Sequence, residues 1–224
     1  MANTTTDYLN PEIPADVNIV DILVRKASPQ NLNGFGTLVF DNYQDYPIEI
    51  VRWPATGWRP VDDDSGDEAG TTQGVFHSCW NGDVLYGKND AVNGHYIIGY
   101  SQPPHLADDS TDSKPESIYL WHANYHPDGG QLFYPVDRRP FVVPLALPGD
   151  DVRPDDFVCF VFDGTSGLYI HPGVWHEGVF TCEGQQRFFD KQGAVHARVS
   201  VNFPNEFHCL IKADISNVES ILID

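Results

Sequence analysis

Histidines flank two turns that the sequence predicts between extended runs. The first turn lies in His126–Gln131, and the second lies in Gly167–His176, where a Pro-Gly pair separates His171 from His176. Proline fixes one backbone angle and glycine frees the next, so the chain can reverse tightly at such a pair. We therefore expect the side chains of both turns to point into one concavity, at the mouth of a small antiparallel barrel.

Imidazole nitrogens and oxygen donors on these turns could share one metal ion. His126, Asp128 and Gln131 follow one another in an order similar to the His-x-His-x₃-Glu metal motif of cupin barrels. His176 would supply the histidine of the later hairpin. These four residue types suit one divalent ion, such as nickel, manganese, zinc or iron, with positions left open for substrate. The alternative is a barrel in which these groups only hydrogen-bond to one another.

His122 is either another metal ligand or a catalytic base. An even separation on a strand puts two side chains on the same face, so His122 is expected to share a face with His126. With His176, these two histidines form the candidate catalytic set, and the alternative for His122 is an edge histidine that faces solvent. The sequence shows no constellation for a further group of histidines: His77, His95, His105, His196 and His208.

Arginine and aromatic residues near the two turns could bind an anionic substrate. The forked guanidinium donors of Arg139 or Arg198 would suit a carboxylate. Arg198 lies on a predicted strand and is the better candidate to point inward. Tyr169 and Trp175 could form walls of a pocket, although buried aromatic residues more often serve the core.

The charge and composition restrict the class of protein. The chain has 224 residues and a formal net charge of −19, which disfavours nucleic acid and anionic membranes as partners. No apolar run approaches the roughly 20 residues that span a bilayer. The first residues lack the pattern of a signal peptide, so we expect a soluble, cytoplasmic protein. The four scattered cysteines are expected to be reduced.

Short extended runs separated by turns predict an all-β protein. The 17 prolines and 19 glycines are spread along the chain, and Asn-Gly pairs at 81–82 and 93–94 favour hairpin turns. Acidic segments at 62–70 and 106–115 are expected to be exposed loops. The expected organisation is an N-terminal arm (1–18) followed by one cupin-like antiparallel β-barrel domain (19–224), a double-stranded β-helix with short helical turns. The predicted strands include residues 37–40, 48–53, 117–122, 132–136, 140–147, 157–162 and 197–203.

Several motifs occur in an order that identifies a family. They are Phe35-Gly36, Asn81-Gly82, His126-Pro127-x-Gly129-x-Gln131-x-Phe133-x-Pro135, Arg139-Pro140-Phe141-Val142-Val143, Pro148-Gly149-Asp150 and Gly167-Leu168-Tyr169-x₅-Val174-Trp175-His176. Together they resemble the ureidoglycolate lyase family, cupin-fold enzymes of allantoin degradation in purine metabolism. Asp128 stands where that family usually has an apolar residue, and Glu177 replaces a frequent second histidine.

The resemblance implies a carbon–nitrogen lyase that cleaves (S)-ureidoglycolate, or a related small hydroxy or ureido acid, to glyoxylate and urea. Two other hypotheses remain open. His126, Asp128 and His176 have the residue types of the facial triad of Fe(II) oxygenases, and Arg187 could then hold a 2-oxo acid. A non-catalytic cupin module that binds a small acid is the third hypothesis. In each case we expect a small anionic ligand and a homodimer formed through edge strands.

Overall fold

The computed structural model of the chain describes residues 6–51, 57–62, 70–110, 114–194 and 197–223. His196, most of the acidic loop at 62–70 and the end of the strand predicted at 48–53 lie outside the described residues. The described part of that predicted strand forms only an isolated bridge between Ile50 and Gly129.

Strands account for most of the regular structure in the described ranges. They are β1 (Asn18–Asp21), β2 (Leu23–Lys26), β3 (Gly36–Val39), β4 (Thr71–Asn81), β5 (Val84–Asn89), β6 (Gly94–Tyr100), β7 (Ser117–Leu120), β8 (His122–Tyr125), β9 (Gln131–Pro135), β10 (Phe141–Ala146), β11 (Val158–Phe162), β12 (Gly167–Ile170), β13 (Trp175–His176), β14 (Phe180–Thr181), β15 (Gln185–Gly193), β16 (Val199–Asn202) and β17 (Cys209–Asp214). The helices are short: α1 (Phe203–Phe207), α2 (Val218–Ile223) and 3₁₀ turns at Tyr43–Asp45 and Pro154–Asp156.

Within the described ranges the strands form two mixed sheets. The ten-stranded sheet has the order β1-β17-β7-β6-β5-β4-β15-β9-β12-β3, and the second has the order β16-β8-β13-β10-β11-β2, with β14 also paired to β10. Most neighbours are antiparallel, but β1 and β17 are parallel, as are β2 and β11. The sheets do not close into one barrel, which is the difference from the expected architecture. The predicted all-β, cupin-like fold is confirmed.

The core lies between the two sheets. Strands β8, β9, β10 and β12 are buried along their whole length, which explains the largely apolar runs of β9, β10 and β12. Phe141 and Phe162 stack there with ring centroids 4.6 Å apart, and Phe188 of β15 meets Phe141 edge-on.

Two predicted features agree with the structure, and one is not tested by it. The Asn-Gly pairs lie in the β4–β5 and β5–β6 hairpins, where Gly82 and Asn93 adopt positive φ angles of 56° and 54°. The four cysteines are free. The division into an arm and one domain stays a prediction. No helix in the described part of the chain is long and apolar enough to cross a membrane.

Candidate functional site

A cavity of about 170 Å³ opens between the two sheets where the histidine-bearing strands end. β13 pairs with β8 through His176 and Asn124, so the second turn lies directly beside the strand that carries His122. The cavity is lined by polar residues from both sheets: Tyr8, Asn89, His95, Tyr96, His122, Asn124, His126, Gln131, His176, Glu177 and Arg198. Its size suits a small organic acid.

His122 and Glu177 form a buried pair at the cavity wall. Nδ1 of His122 lies 2.7 Å from Oε2 of Glu177, and the two side chains are 4% and 3% exposed. The other carboxylate oxygen of Glu177 accepts a hydrogen bond from the backbone N–H of Gly178 at 2.9 Å. A carboxylate accepts hydrogen bonds, so Nδ1 of His122 carries the proton and Nε2 carries the lone pair. Nε2 is buried and has no hydrogen-bond partner among the described residues.

Gln131 lies between the two other predicted site histidines. Its Oε1 is 2.9 Å from Nε2 of His126 and 3.0 Å from Nε2 of His176. Each histidine donates from Nδ1 to a backbone carbonyl, at Ala197 and Val174 respectively. Burial lowers the pKa of His126, and it lowers the pKa of His176 to about 3, so both rings are neutral near pH 7.

Asp190 of β15 lies behind Gln131. Its Oδ1 accepts from Nε2 of Gln131 at 2.7 Å, and its Oδ2 accepts from Nδ2 of Asn89 at 3.0 Å. The side chain is fully buried, and burial raises the pKa of this carboxyl to about 7. The histidine pair is thus connected to a buried acid through one amide.

Arg198 and Tyr8 also line the cavity. Nε of Arg198 lies 3.8 Å from Oδ2 of Asp62, and its guanidinium lies over the Tyr8 ring, 5.3 Å from the centroid. The Tyr8 ring meets the His122 ring edge-on at 5.2 Å. Burial, with the nearby Asp62 charge, raises the pKa of Tyr8, so its hydroxyl stays neutral. The arginine predicted to point inward therefore lies at the cavity.

Three of the predicted substrate-binding residues are held elsewhere in the described structure. Arg139 lies in a separate surface cavity, where Nη2 donates to the backbone carbonyl of Gln185. Tyr169 packs in a side cluster with Val39 and Leu132, and its hydroxyl accepts from Glu49 N–H at 2.9 Å. The indole N–H of Trp175 donates to the Gly149 carbonyl at 2.8 Å, and its ring belongs to the core.

Asp128 is not among the described residues that line the cavity. Its carboxylate points at Gly193, where an added Cβ would collide with it. Both oxygens are buried without a hydrogen-bond partner in the described structure, and burial raises the pKa of the carboxyl. Asp128 thus lies outside the cavity lining, although its charge acts on His126. This placement does not favour the facial-triad hypothesis.

The donor atoms of His126, Gln131 and His176 can be compared with those that the expected divalent metal ion needs. No group of three or more His, Cys, Asp or Glu side chains in the described ranges could hold one. The amide oxygen of Gln131 would have to be the third donor beside His126 and His176. Two imidazole nitrogens, each within 3.0 Å of one amide oxygen, are donor types that fit a divalent ion.

Several cavity residues were missed by reasoning from the sequence. Glu177 was noted only as a departure from the family, and Asn124, Tyr96 and Tyr8 were not singled out. A signal existed for Asn124, because it lies two residues after His122 on one strand face. His95, for which the sequence showed no constellation, is exposed and contributes to the lining of the cavity.

The fold and the site together define a cupin-like all-β protein with a buried pocket of histidine, amide and carboxylate groups. Residues 112–206 match the family model described as ureidoglycolate lyase. Over this stretch the chain is similar to the ureidoglycolate lyase family, which agrees with the resemblance seen in its motifs. His122, Gln131, His176, Glu177 and Arg198 all lie within it.

Curated relatives named ureidoglycolate lyase each match part of the chain. The chain is 37% identical over 71 residues to the ureidoglycolate lyase of Azotobacter vinelandii. This alignment covers 31% of this chain and 43% of the relative. It is 34% identical over 85 residues to that of Pseudomonas syringae pv. tomato, covering 37% of this chain and 50% of the relative. The relative from Pseudomonas savastanoi pv. phaseolicola is 37% identical over 84 residues, covering 37% and 49%. The chain thus spans about half the length of these relatives.

Proposed function

We propose that this chain is a carbon–nitrogen lyase that cleaves ureidoglycolate to glyoxylate and urea. The names of the relatives give the substrate class, and the cavity is of a size for such a small acid. The observation that carries the proposal is the buried, unpartnered Nε2 of His122, whose Nδ1 proton is held by Glu177. That arrangement supplies a base in a cavity that also contains an arginine.

The elimination needs a base for a hydroxyl proton and an acid for the leaving nitrogen. Nε2 of His122 takes the proton of the carbinol hydroxyl, and the oxygen electrons form the new carbonyl of glyoxylate. The carbon–nitrogen bond breaks, its electrons go to nitrogen, and the His122 imidazolium returns the proton to the departing urea. Glu177 stabilises the imidazolium between these two transfers. Such acid–base help typically contributes about 10²–10⁴-fold.

The anionic substrate must be held in a strongly acidic protein. Arg198 is the cationic side chain, among the described residues, that lines this cavity, and its guanidinium would bind the substrate carboxylate. Asn124, whose buried Oδ1 has no hydrogen-bond partner in the described structure, would accept from a ureido N–H. These two contacts would orient the hydroxyl toward His122.

His126, Gln131 and His176 would hold a divalent metal ion on the neighbouring wall of the cavity. Such an ion would supply Lewis-acid polarisation of a substrate oxygen. Without it, the two imidazoles and the amide would still border the substrate and exclude water.

The proposal is tested by incubating the purified chain with ureidoglycolate and measuring glyoxylate and urea. His122→Asn is the test variant, and His105→Asn, at an exposed histidine outside the cavity lining, is its matched control. Equal release of both products by the wild type and the control, and its loss in His122→Asn, supports the lyase. Binding of the acid without turnover by the wild type would support a non-catalytic module.

A further inference from the structure

A buried chain of hydrogen bonds fixes the direction in which the Gln131 amide faces. Asn89, Asp190 and Gln131 are 3%, 0% and 4% exposed. The Asn89 carbonyl oxygen accepts from the backbone N–H of Ala91 at 2.9 Å, which directs the Asn89 amino group at Asp190. The second oxygen of Asp190 accepts from the Gln131 amino group. The carbonyl oxygen of Gln131 must therefore face away from Asp190, toward the two histidines.

The two histidines present lone pairs to the same point. Backbone carbonyls can only accept, so Nδ1 of His126 and Nδ1 of His176 each carry a proton. In a neutral ring the other nitrogen, Nε2, is then an acceptor. Three acceptors thus meet at one point. The amide oxygen Oε1 of Gln131 lies 2.9 Å from Nε2 of His126 and 3.0 Å from Nε2 of His176.

Acceptors that face one another are stable only when a positive group lies among them or when one partner turns into a donor. An amide can do the latter by rotating, because its amino group carries two protons that could reach both imidazole lone pairs. In its ionised form Asp190 opposes this rotation, because a carboxylate can only accept hydrogen bonds and would then face the amide oxygen instead of the amide N–H. Asp190 therefore determines whether the Gln131 oxygen can bind a cation or the Gln131 amino group donates hydrogen bonds to the two histidines.

We propose that Asp190 is a positioning residue that holds the Gln131 oxygen toward His126 and His176 and so completes a three-donor site for a divalent transition-metal ion. Two imidazoles and one neutral oxygen suit nickel, zinc or iron, and also manganese when water completes the set. Outer partners of this kind orient metal ligands. The inference rests on the proposed function and deepens it by assigning the residue that prepares the metal-binding wall of the same cavity.

Asp190→Asn tests the inference with little change in shape. The amide introduced by this substitution has one oxygen and one amino group, so it cannot accept from both Asn89 and Gln131. Because Ala91 holds Asn89 in place, the introduced amino group will face Gln131, and Gln131 will turn its own amino group toward the histidines. We expect cation affinity to fall by about 10–100-fold.

The double variant Asn89→Asp with Asp190→Asn is the matched rescue. The carboxylate introduced at position 89 can accept from both the Ala91 N–H and the amino group introduced at position 190. The amide oxygen at position 190 is then free to accept from Gln131, which restores the original direction of the Gln131 amide. A merely structural role of Asp190 predicts no such recovery, and thermal unfolding of each variant checks that it is folded.

The measurement is isothermal titration of the metal-stripped full chain with Ni²⁺, Zn²⁺ or Mn²⁺, each added alone. One equivalent bound by the wild type, weaker binding by Asp190→Asn and recovery in the double variant support the inference. Equal affinity in the wild type and Asp190→Asn overturns it, as does a wild type that binds none of the three ions. If the metal-stripped protein still cleaves ureidoglycolate in either of these cases, the metal inference fails and the lyase proposal is retained.

Discussion

Nδ1 of His122 lies 2.7 Å from Oε2 of Glu177, and both side chains are buried beside the cavity. The carboxylate holds the ring with its lone pair on Nε2 and stabilises the charged ring after proton transfer. We expect Glu177→Gln to lower kcat while leaving KM nearly unchanged, because an amide cannot balance the imidazolium charge. Steady-state kinetics with ureidoglycolate measures this, with Glu183→Gln, at an exposed position, as the control. An unchanged kcat in Glu177→Gln would remove the pair from the mechanism.

Arg198 is expected to bind the substrate carboxylate. Arg198→Met should raise KM by about 10–100-fold, since a hydrogen bond to a charged group contributes about 1.5–3 kcal/mol. Arg153→Met is the control, because that side chain is 68% exposed and its ion pair with Asp155 lies at the surface, away from the cavity lining. Equal KM values for the two variants would place the carboxylate elsewhere.

Gly178 and Gly94 both line the cavity but differ in the space around them. A Cβ at Gly178 would lie 2.6 Å from Phe76 Cζ and 3.3 Å from the Tyr96 hydroxyl, whereas at Gly94 the nearest atom of Tyr96 is 3.6 Å away. Gly178→Ala should therefore lower stability by about 1–3 kcal/mol through overpacking and also reduce turnover. Gly94→Ala should change neither. Chemical unfolding and kinetics of the two variants check this. Equal stability and equal turnover of the two variants would show that the side chains around Gly178 can move to accommodate a methyl group.

Tyr169 is expected to support the fold and to make no contact with substrate. Its hydroxyl accepts a hydrogen bond from Glu49 N–H, so Tyr169→Phe should lower the free energy of unfolding by about 0.5–1.5 kcal/mol. The ratio kcat/KM should stay the same. A large fall in kcat/KM without loss of stability would restore the prediction that Tyr169 forms a wall of the pocket.

The fold could be predicted from local patterns because most strands carry their own signal. Residues 141–146 and 158–162 are apolar along their length, since β10 and β11 are covered on both faces. The even spacing of His122 and His126 predicted that they would share a face, and both side chains line the cavity. The expected closed barrel is not what the described strands form, since they form two sheets. Strand order depends on long-range pairing, which local patterns do not specify.

The missed site residues have physical explanations. His176 and Glu177 are adjacent, and on a regular strand they would face opposite sides. Both line the cavity because β13 ends at His176. Asp190 could have been found, since alternation along β15 places it on the same buried face as Phe188. Tyr8 could not, because only the folded chain brings it to His122. The homodimer and the cytoplasmic location stay predictions.

The most direct test of the account is the release of glyoxylate and urea from (S)-ureidoglycolate by the purified full chain. We predict equal amounts of the two products, at a rate about 10²–10⁴-fold lower for His122→Asn than for the wild type. A folded wild type that releases neither product, or a His122→Asn variant as active as the wild type, would contradict the account.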